Sequence, residues 1–415
     1  MTFAAMSDDR SRADEPVSII GVAALAKMAF DCVNLTPLQQ SLTERFLRDA
    51  CDTAALMDLS AIKQLYGARA DGLQLQAQAL QRNRLYRRRP TTAKSDAIRL
   101  LALVAPGDFM ANAPLEFLLD GSNITLDLLY VVPGAPLPAI IPEHDLAIVA
   151  VGESDDNRAV LCEVATLIRD WKRPVLNAPA RIAELSRDAA CALLQAMNGT
   201  AIPPTLRVAR ETLECIGSGA TAVVSLFVGG NFPIIARPIG SHAGDGLSKL
   251  DDAAAVVDYL QGRPEAEFYI SPFVDYRSAD GLFRKYRIAL IDGEPYACHM
   301  AVSQHWMVHY LNAGMTESAV KREEEARFMA AFDDDFAVRH KAALRAIAER
   351  IGLAYFAIDC GELPDGRLLL FEADVAMIVH AMDPPDMFPY KGPQMRKVFT
   401  AFAAMLRKYA RPAGG

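Results

Sequence analysis

The sequence predicts an α/β protein, and three observations carry that reading. Short apolar runs alternate with helical patterns between residues 98 and 177, alternating segments at 267–275 and 283–291 read as strands, and residues 353–377 read as a hairpin about a Pro364-Asp365-Gly366 turn. At 415 residues the chain is long enough for two or three domains with cores of their own. A composition of 52% hydrophobic and 23% charged residues excludes a disordered chain.

Residues 1–16 are polar and expected to fray. From residue 36 onward Leu38, Leu42, Phe46 and Leu47, then Leu56, Leu59, Ile62 and Leu65, recur at helical spacing, so residues 1–90 read as a helical N-terminal segment. The run Arg82, Arg84, Arg87, Arg88 and Arg89 reads as a solvated helix end. Strands at 98–105, 126–132, 146–151 and 174–177, with helices at 114–119 and 158–171, imply a Rossmann-like parallel sheet over residues 91–180. Ligands of such sheets bind beyond the strands' carboxyl ends, which nominates loops 107–112 and 152–156, with Asn112 as a substrate contact, although every strand also needs a connector. A second block begins at residue 181: a helix at 185–197, an extended Ile202-Pro203-Pro204-Thr205, and strands at 221–228 and 232–237 about a Gly229-Gly230-Asn231 turn.

A net charge of −8 weighs against a nucleic-acid partner. Seven cysteines without a CxxC or regular spacing suit reduced thiols in a cytoplasmic setting. No run reaches the roughly 18 apolar residues of a membrane span, so no membrane partner is expected.

Chemistry concentrates in three places. In the C-terminal hairpin, pairing of residues whose numbers sum to about 730 puts Asp359 beside Glu372. Asp374, two residues on, shares the face of Glu372. Three carboxylates among Phe356, Ile358, Leu370 and Phe371 would repel one another unless a cation neutralises them, and oxygen donors alone favour Mg²⁺ or Mn²⁺. A solvated hairpin with its acids in water is the competing reading. The second place is Arg237 followed by Gly240, Ser241, His242, Gly244 and Gly246, where glycine amides approach an anion closely, or where a flexible turn simply needs glycine. Neither GxxxxGK[ST] nor GxGxxG is present. The third is Lys285 and Arg287, two same-face cations on one strand, either paired with surface acids or aimed at phosphates.

In this order the pieces resemble the ATP-grasp superfamily, in its glutathione synthetase and protein-glutamylating ligase branch, over roughly residues 181–406. The resemblance implies two α+β subdomains clasping ATP over residues 181–408, with a lid at about 186–265, preceded by the α/β domain and the helical segment. It implies metal ligation by Asp359, Glu372 and Asp374, the last standing where relatives have Asn. Phosphate contacts fall on Arg237 and, more loosely, Arg187, where relatives carry lysine; arginine keeps the charge but is bulkier. The hinge acid falls on Pro272, leaving backbone groups of Phe273 and Val274 to read adenine and Asp275 or Asp280 to meet ribose. Arg287 matches the arginine that stabilises the transferred phosphoryl group, and Lys285 stands where relatives have Asp.

The implied reaction is ATP-dependent ligation of a carboxylate to an amine through an acyl phosphate, with ATP and Mg²⁺ or Mn²⁺. The partners would be small-molecule or peptide carboxylates and amines, and a homodimer is common in the family. His299, His305 and His309 form the one dense imidazole cluster; an extended segment would put His305 and His309 on one face, near Ser303 and the acceptor side, or the histidines are structural. Two alternatives remain: a small-molecule kinase of the same superfamily, and a non-catalytic ATP-binding regulator.

Overall fold

The computed structural model describes residues 16–90, 97–241 and 244–410. Strands β1 (Val17–Ser18), β2 (Leu85–Arg88), β3 (Arg99–Val104), β4 (Thr125–Tyr130), β5 (Leu146–Val149) and β6 (Val175–Leu176) form one sheet in the order β1-β2-β4-β3-β5-β6. Strands β4, β3, β5 and β6 run parallel, as the alternation of apolar runs and helices dictates. The N-terminal helices Val22–Phe30, Thr36–Arg48, Thr53–Leu65 and Arg69–Leu80 flank it. The first of them starts on buried acids: Asp58 accepts the N–H groups of Ile20 and Gly21 at 3.0–3.1 Å, and Glu116 that of Ala23 at 3.2 Å. Gly21 has φ 91°, and a Cβ there would fall 2.2 Å from Glu116 Oε2, so only glycine fits.

Of the arginine run only Arg82 sits at a helix end, where it donates to the Gln78 carbonyl at 2.9 Å. Arg87 and Arg88 lie in β2, antiparallel to β4, with Arg87 bonded to both oxygens of its register partner Asp127 at 2.6 and 2.7 Å. The stem of an arginine lies in a sheet when a carboxylate on the next strand neutralises its head. Residues 16–90 are therefore helical in the middle with a strand at each end, joined to the sheet that follows.

After the helix Arg187–Leu194 comes β7 (Thr200–Ala201), then an antiparallel small sheet of β8 (Leu206–Ala209), β9 (Ile234–Pro238), β10 (Ser248–Leu250) and β11 (Glu267–Pro272), ordered β10-β9-β11-β8. It has its own core, including Leu213, Phe227, Val256 and Phe268. The strand expected at 221–228 is instead a 3₁₀ turn, Val223–Ser225. Val223 and Phe227, four apart, drop into the core while Val224 and Val228 face solvent, a helical period that β-branched residues disguise. The strands that pair with β9 are instead β10 and β11, and β8, followed by the helix Arg210–Gly217, pairs with the far side of β11.

The large sheet joins β12 (Phe283–Ile291), β13 (Glu294–Ser303), β14 (Tyr355–Glu362) and β15 (Leu368–Asp374) to β7, in the order β13-β12-β14-β15-β7. Asp292 and Gly293, at φ 53° and 86°, make the tight turn between β12 and β13. The helices Ala319–Ala331, Lys341–Ile351 and Lys391–Ala410 pack on this sheet, and the last also touches β5. One continuous core runs from the first sheet into the large one, whereas the small sheet stands on its own core.

Candidate active site

Register builds the site. Across β13, β12, β14 and β15, His299 pairs with Arg287, Arg287 with Asp359, and Asp359 with Glu372, so four polar side chains line up in one row on one face. Arg287 donates from Nε and Nη2 to the two Asp359 oxygens at 2.8 and 3.0 Å and from Nη1 to the Ile378 carbonyl at 3.0 Å. Lys285 Nζ lies 2.7 Å from Asp359 Oδ2. Asp359 is 2% exposed. Burial pushes its carboxyl up, but Arg287 and Lys285 together outweigh that and hold it far below the usual carboxylate range.

Glu372 is more open and meets Arg187, the first residue of its helix, which also bonds the Phe371 carbonyl at 3.3 Å. Arg237, buried on β9, reaches the same region from the small sheet; its guanidinium bonds Ser241 Oγ at 3.1 and 3.2 Å. Burial, then the like charge of Arg187, lowers Arg237 to about 10. Burial raises the Glu372 carboxyl, but the fields of Arg187 and Arg237 prevail and lower it. Asp374 has no ion pair among the described residues, and the charge of Arg187 lowers it only slightly. Its Oδ1 accepts the Ala376 N–H at 3.1 Å, yet burial, with Glu372 adding, pushes it up to about 7. Glu153, from the loop after β5, is likewise raised to about 7 by burial and then by Asp374.

The convergence of three carboxylates on one ion does not hold in this arrangement. Among the described residues no group of three His, Cys, Asp or Glu side chains is placed to hold a metal. The reason is on β12: Lys285 and Arg287 occupy both Asp359 oxygens and supply the positive charge otherwise left to an ion. What remains is Glu372 and Asp374, an all-oxygen pair two apart on β15. That donor set fits Mg²⁺, which takes one or two carboxylates and completes its shell with water and phosphate oxygens.

The glycine loop is the hairpin loop between β9 and β10, with Gly240, Gly244 and Gly246 at φ 74°, 80° and 67°. A Cβ at Gly244 would lie 3.3 Å from Met307 Sδ, so the loop reaches the segment after β13. Ser241 serves Arg237, and His242 lies outside the described residues. At the hinge, the Phe273 N–H donates to the Pro233 carbonyl at 3.0 Å, so that donor is not free to read adenine. Val274 borders a cavity of about 540 Å³ with Met197, Ile202 and Leu363. Asp275 is engaged by Arg277 and Asp280 by Arg284.

On the acceptor side three expectations change. The Asn112 amide is spent on Ala105, accepting its N–H at 2.7 Å and donating to its carbonyl at 2.8 Å, so it closes the loop after β3 on itself. Ser303 accepts the His305 N–H at 3.0 Å and ends β13. His305 and His309 therefore lie past the strand and share no strand face; His305 is exposed, and His309 precedes the 3₁₀ turn Tyr310–Asn312. Burial, then Lys285 and Arg287, lowers the His309 imidazole.

The imidazole that joins the row is His299. Its ring lies 4.7 Å from that of Tyr310, its Nε2 is buried without a hydrogen-bond partner, and burial, then Arg287 and Lys391, keeps it neutral. The sequence could not single it out because a bulge intervenes: Ile288 pairs with Ala297, then Arg287 with His299, and Cys298 is skipped. Two further features were missed. Arg207 bonds Asp155 at 2.7 and 3.0 Å and Glu267 at 2.6 and 3.0 Å, tying the small sheet to the loop after β5. Buried Lys391 lies 3.1 Å from Asp383 and 3.5 Å from Glu325, which also accepts from Tyr310, Tyr390 and the Met300 N–H.

No protein-family model matches the chain, and no curated protein matches it. Among solved structures it is similar to the VanG D-Ala:D-Ser ligase from Enterococcus faecalis, at 11% identity and a TM-score of 0.46, over 75% of this chain and 99% of that one. It is also similar to a RimK domain ATP-grasp protein from Sphaerobacter thermophilus, at 16% identity and a TM-score of 0.38, over the same shares. Among the described residues no helix is long and apolar enough to cross a membrane.

Proposed function

We propose that the protein is an ATP-dependent carboxylate–amine ligase of the ATP-grasp type, acting in the cytoplasm on small-molecule or peptide substrates. The observation that carries this is the row Arg287–Asp359–Glu372 on the large sheet, met by Arg187 and by Arg237 from the small sheet. Two like-charged guanidiniums brought together are costly unless anions lie between them, and one carboxylate does not balance both. Arg187 and Arg237 bind the nucleotide phosphates, with the glycine-loop amides alongside. Mg²⁺ on Glu372 and Asp374 offsets phosphate charge when bound.

The substrate carboxylate attacks the terminal phosphorus of ATP and ADP leaves; Arg287 and Lys285 offset the charge of the transferring phosphoryl group and of the acyl phosphate. The amine then adds to the acyl carbon, phosphate departs and the amide remains, with one proton lost from nitrogen. The units that carry this out are residues 91–180 with the N-terminal segment, and residues 181–408, in which the small sheet is the lid.

The test is ADP release from Mg-ATP across amino acids, short peptides and amines, with Glu372→Gln as control. ADP that needs a carboxylate and an amine together, and disappears in the variant, supports ligation. ADP with the carboxylate alone identifies a kinase. One observation favours the regulator reading: both oxygens of Asp359 are already taken by Arg287 and Lys285. Nucleotide binding without ADP from any pair would establish it.

A further inference from the structure

We propose that His299 is a further substrate contact: its Nε2–H donates a hydrogen bond to the substrate carboxylate, and then to the acyl phosphate formed from it, at the β13 end of the row. The inference rests on the reading of the row as the site of phosphoryl transfer, and it adds where the acyl substrate lies. β13 is the edge strand of the large sheet, and His299, the register partner of Arg287, shares the face of the row. Its Nε2 is buried and has no hydrogen-bond partner among the described residues. A buried polar atom left alone is costly, and beside a reaction site it marks a bond that a ligand completes.

The ring is held in place from behind. It lies 4.7 Å from the ring of Tyr310, whose hydroxyl is fixed from two sides, donating to Glu325 at 2.9 Å and accepting from Lys391. Glu325, buried at the free edge of the sheet, also accepts the Met300 N–H at 3.0 Å and the Tyr390 hydroxyl at 2.6 Å, and Asp383 holds Lys391 at 3.1 Å. Tyr310, Glu325 and Lys391 are therefore positioning residues that pack the imidazole against the row.

Charge selects the partner. Lys285 and Arg287 share the one carboxylate of Asp359, so together they carry a surplus positive charge. Burial, then the fields of Arg287 and Lys391, keep the His299 ring neutral, and a neutral imidazole carries one proton. In that positive field the group that meets Nε2 is an anion, and an anion favours the tautomer with the proton on Nε2. A carboxylate bound there lies beside Lys285 and Arg287, at the other end of the row from Glu372 and Arg187.

The probe is acetonylphosphonate, a stable analogue of an acyl phosphate, with acetate as a simple carboxylate and ethylammonium as the cationic control, titrated into the full chain carrying ¹⁵N-labelled histidine. The His299 signals are those missing from His299→Gln. With either anion at millimolar concentration or below, Nε2 is expected to carry the proton and to shift, while His144, which packs on Trp171 far along the chain, stays unmoved. His299→Leu is expected to weaken acetonylphosphonate roughly tenfold with the affinity for Mg·AMP-PNP unchanged, and His299→Gln, which keeps a donor, to lose less. Tyr310→Phe, which keeps the ring but frees it from Glu325 and Lys391, is expected to move the His299 signals and to weaken the anion by a smaller factor. If Mg·AMP-PNP binds while the anions leave His299 unmoved, or bind His299→Leu as well as wild type, or bind more weakly than ethylammonium, the proposal falls and the ligase reading stands. If neither nucleotide nor anion binds, both fall.

Discussion

Two carboxylates on one hairpin, Asp359 and Asp374, sit in the same sheet face with opposite charge balance. Asp359 is enclosed by Arg287 and Lys285 and held far below its ordinary titration range, whereas Asp374 has backbone donors but no ion pair among the described residues and is pushed up to about 7. The lesson is that the row has a finished end and a receptive end. At Asp359 the protein supplies the counter-charge; at Asp374, beside Glu372 and Glu153, it does not, and on the proposed function this is where a cation would bind.

The largest effect expected is at the finished end. Arg287→Ala leaves the buried Asp359 charge to Lys285 alone and should cost about 3–5 kcal/mol of stability, read by denaturant unfolding, while Arg287→Met with Asp359→Leu and Lys285→Met should cost much less. A full loss in the triple variant would break the distinction, since the three groups would then matter for more than their own charge.

The two acids also predict opposite pH signs. Asp359 titrates below its unfolded value, so its contribution is present above about pH 4 and is lost as pH falls further. Asp374 titrates above its unfolded value, so its contribution is present below about pH 4 and is lost as pH rises through about 7. Asp374→Asn should therefore stabilise the protein at pH 8 by about 2 kcal/mol, half the full linkage value because the side chain is partly open, and should flatten the melting profile between pH 4 and 7. Mg²⁺ should add less stability to that variant than to the wild type, which thermal melts with and without the ion would show.

A smaller effect is expected for Asn112→Ala, which removes two bonds to Ala105 and should cost about 1–2 kcal/mol without changing substrate affinity once folded. The smallest is Arg207→Ala. Its ion pairs are exposed and should contribute no more than about 1 kcal/mol, but amide exchange should speed up in β8 and β11 and leave β14 unchanged.

Much of this was legible from local pattern. The β14–β15 hairpin follows from its Pro364-Asp365-Gly366 turn, which brings Asp359 next to Glu372; a register shift between Asp359 and Cys360 then sets the two directly opposite. The α/β class follows equally from runs such as residues 98–105 and 146–151, whose continuous apolarity marks strands buried on both faces. What was not legible depends on partners distant in sequence. Arg87 reads as surface charge until Asp127 stands beside it, Val223 and Phe227 read as strand until a core claims one face, and Asn112 reads as a ligand until Ala105 consumes its amide. His299 was hidden by one inserted residue, since a bulge changes which side chain faces the row and leaves no mark in composition.

The measurement that tests the central claim most directly is the calorimetric affinity of Mg·AMP-PNP for the wild-type chain, Arg187→Ala and Arg237→Ala. If the row and the two arginines form the phosphate site, the wild type binds and each variant loses roughly tenfold or more. Absence of binding, or affinity unchanged in both variants, would contradict it.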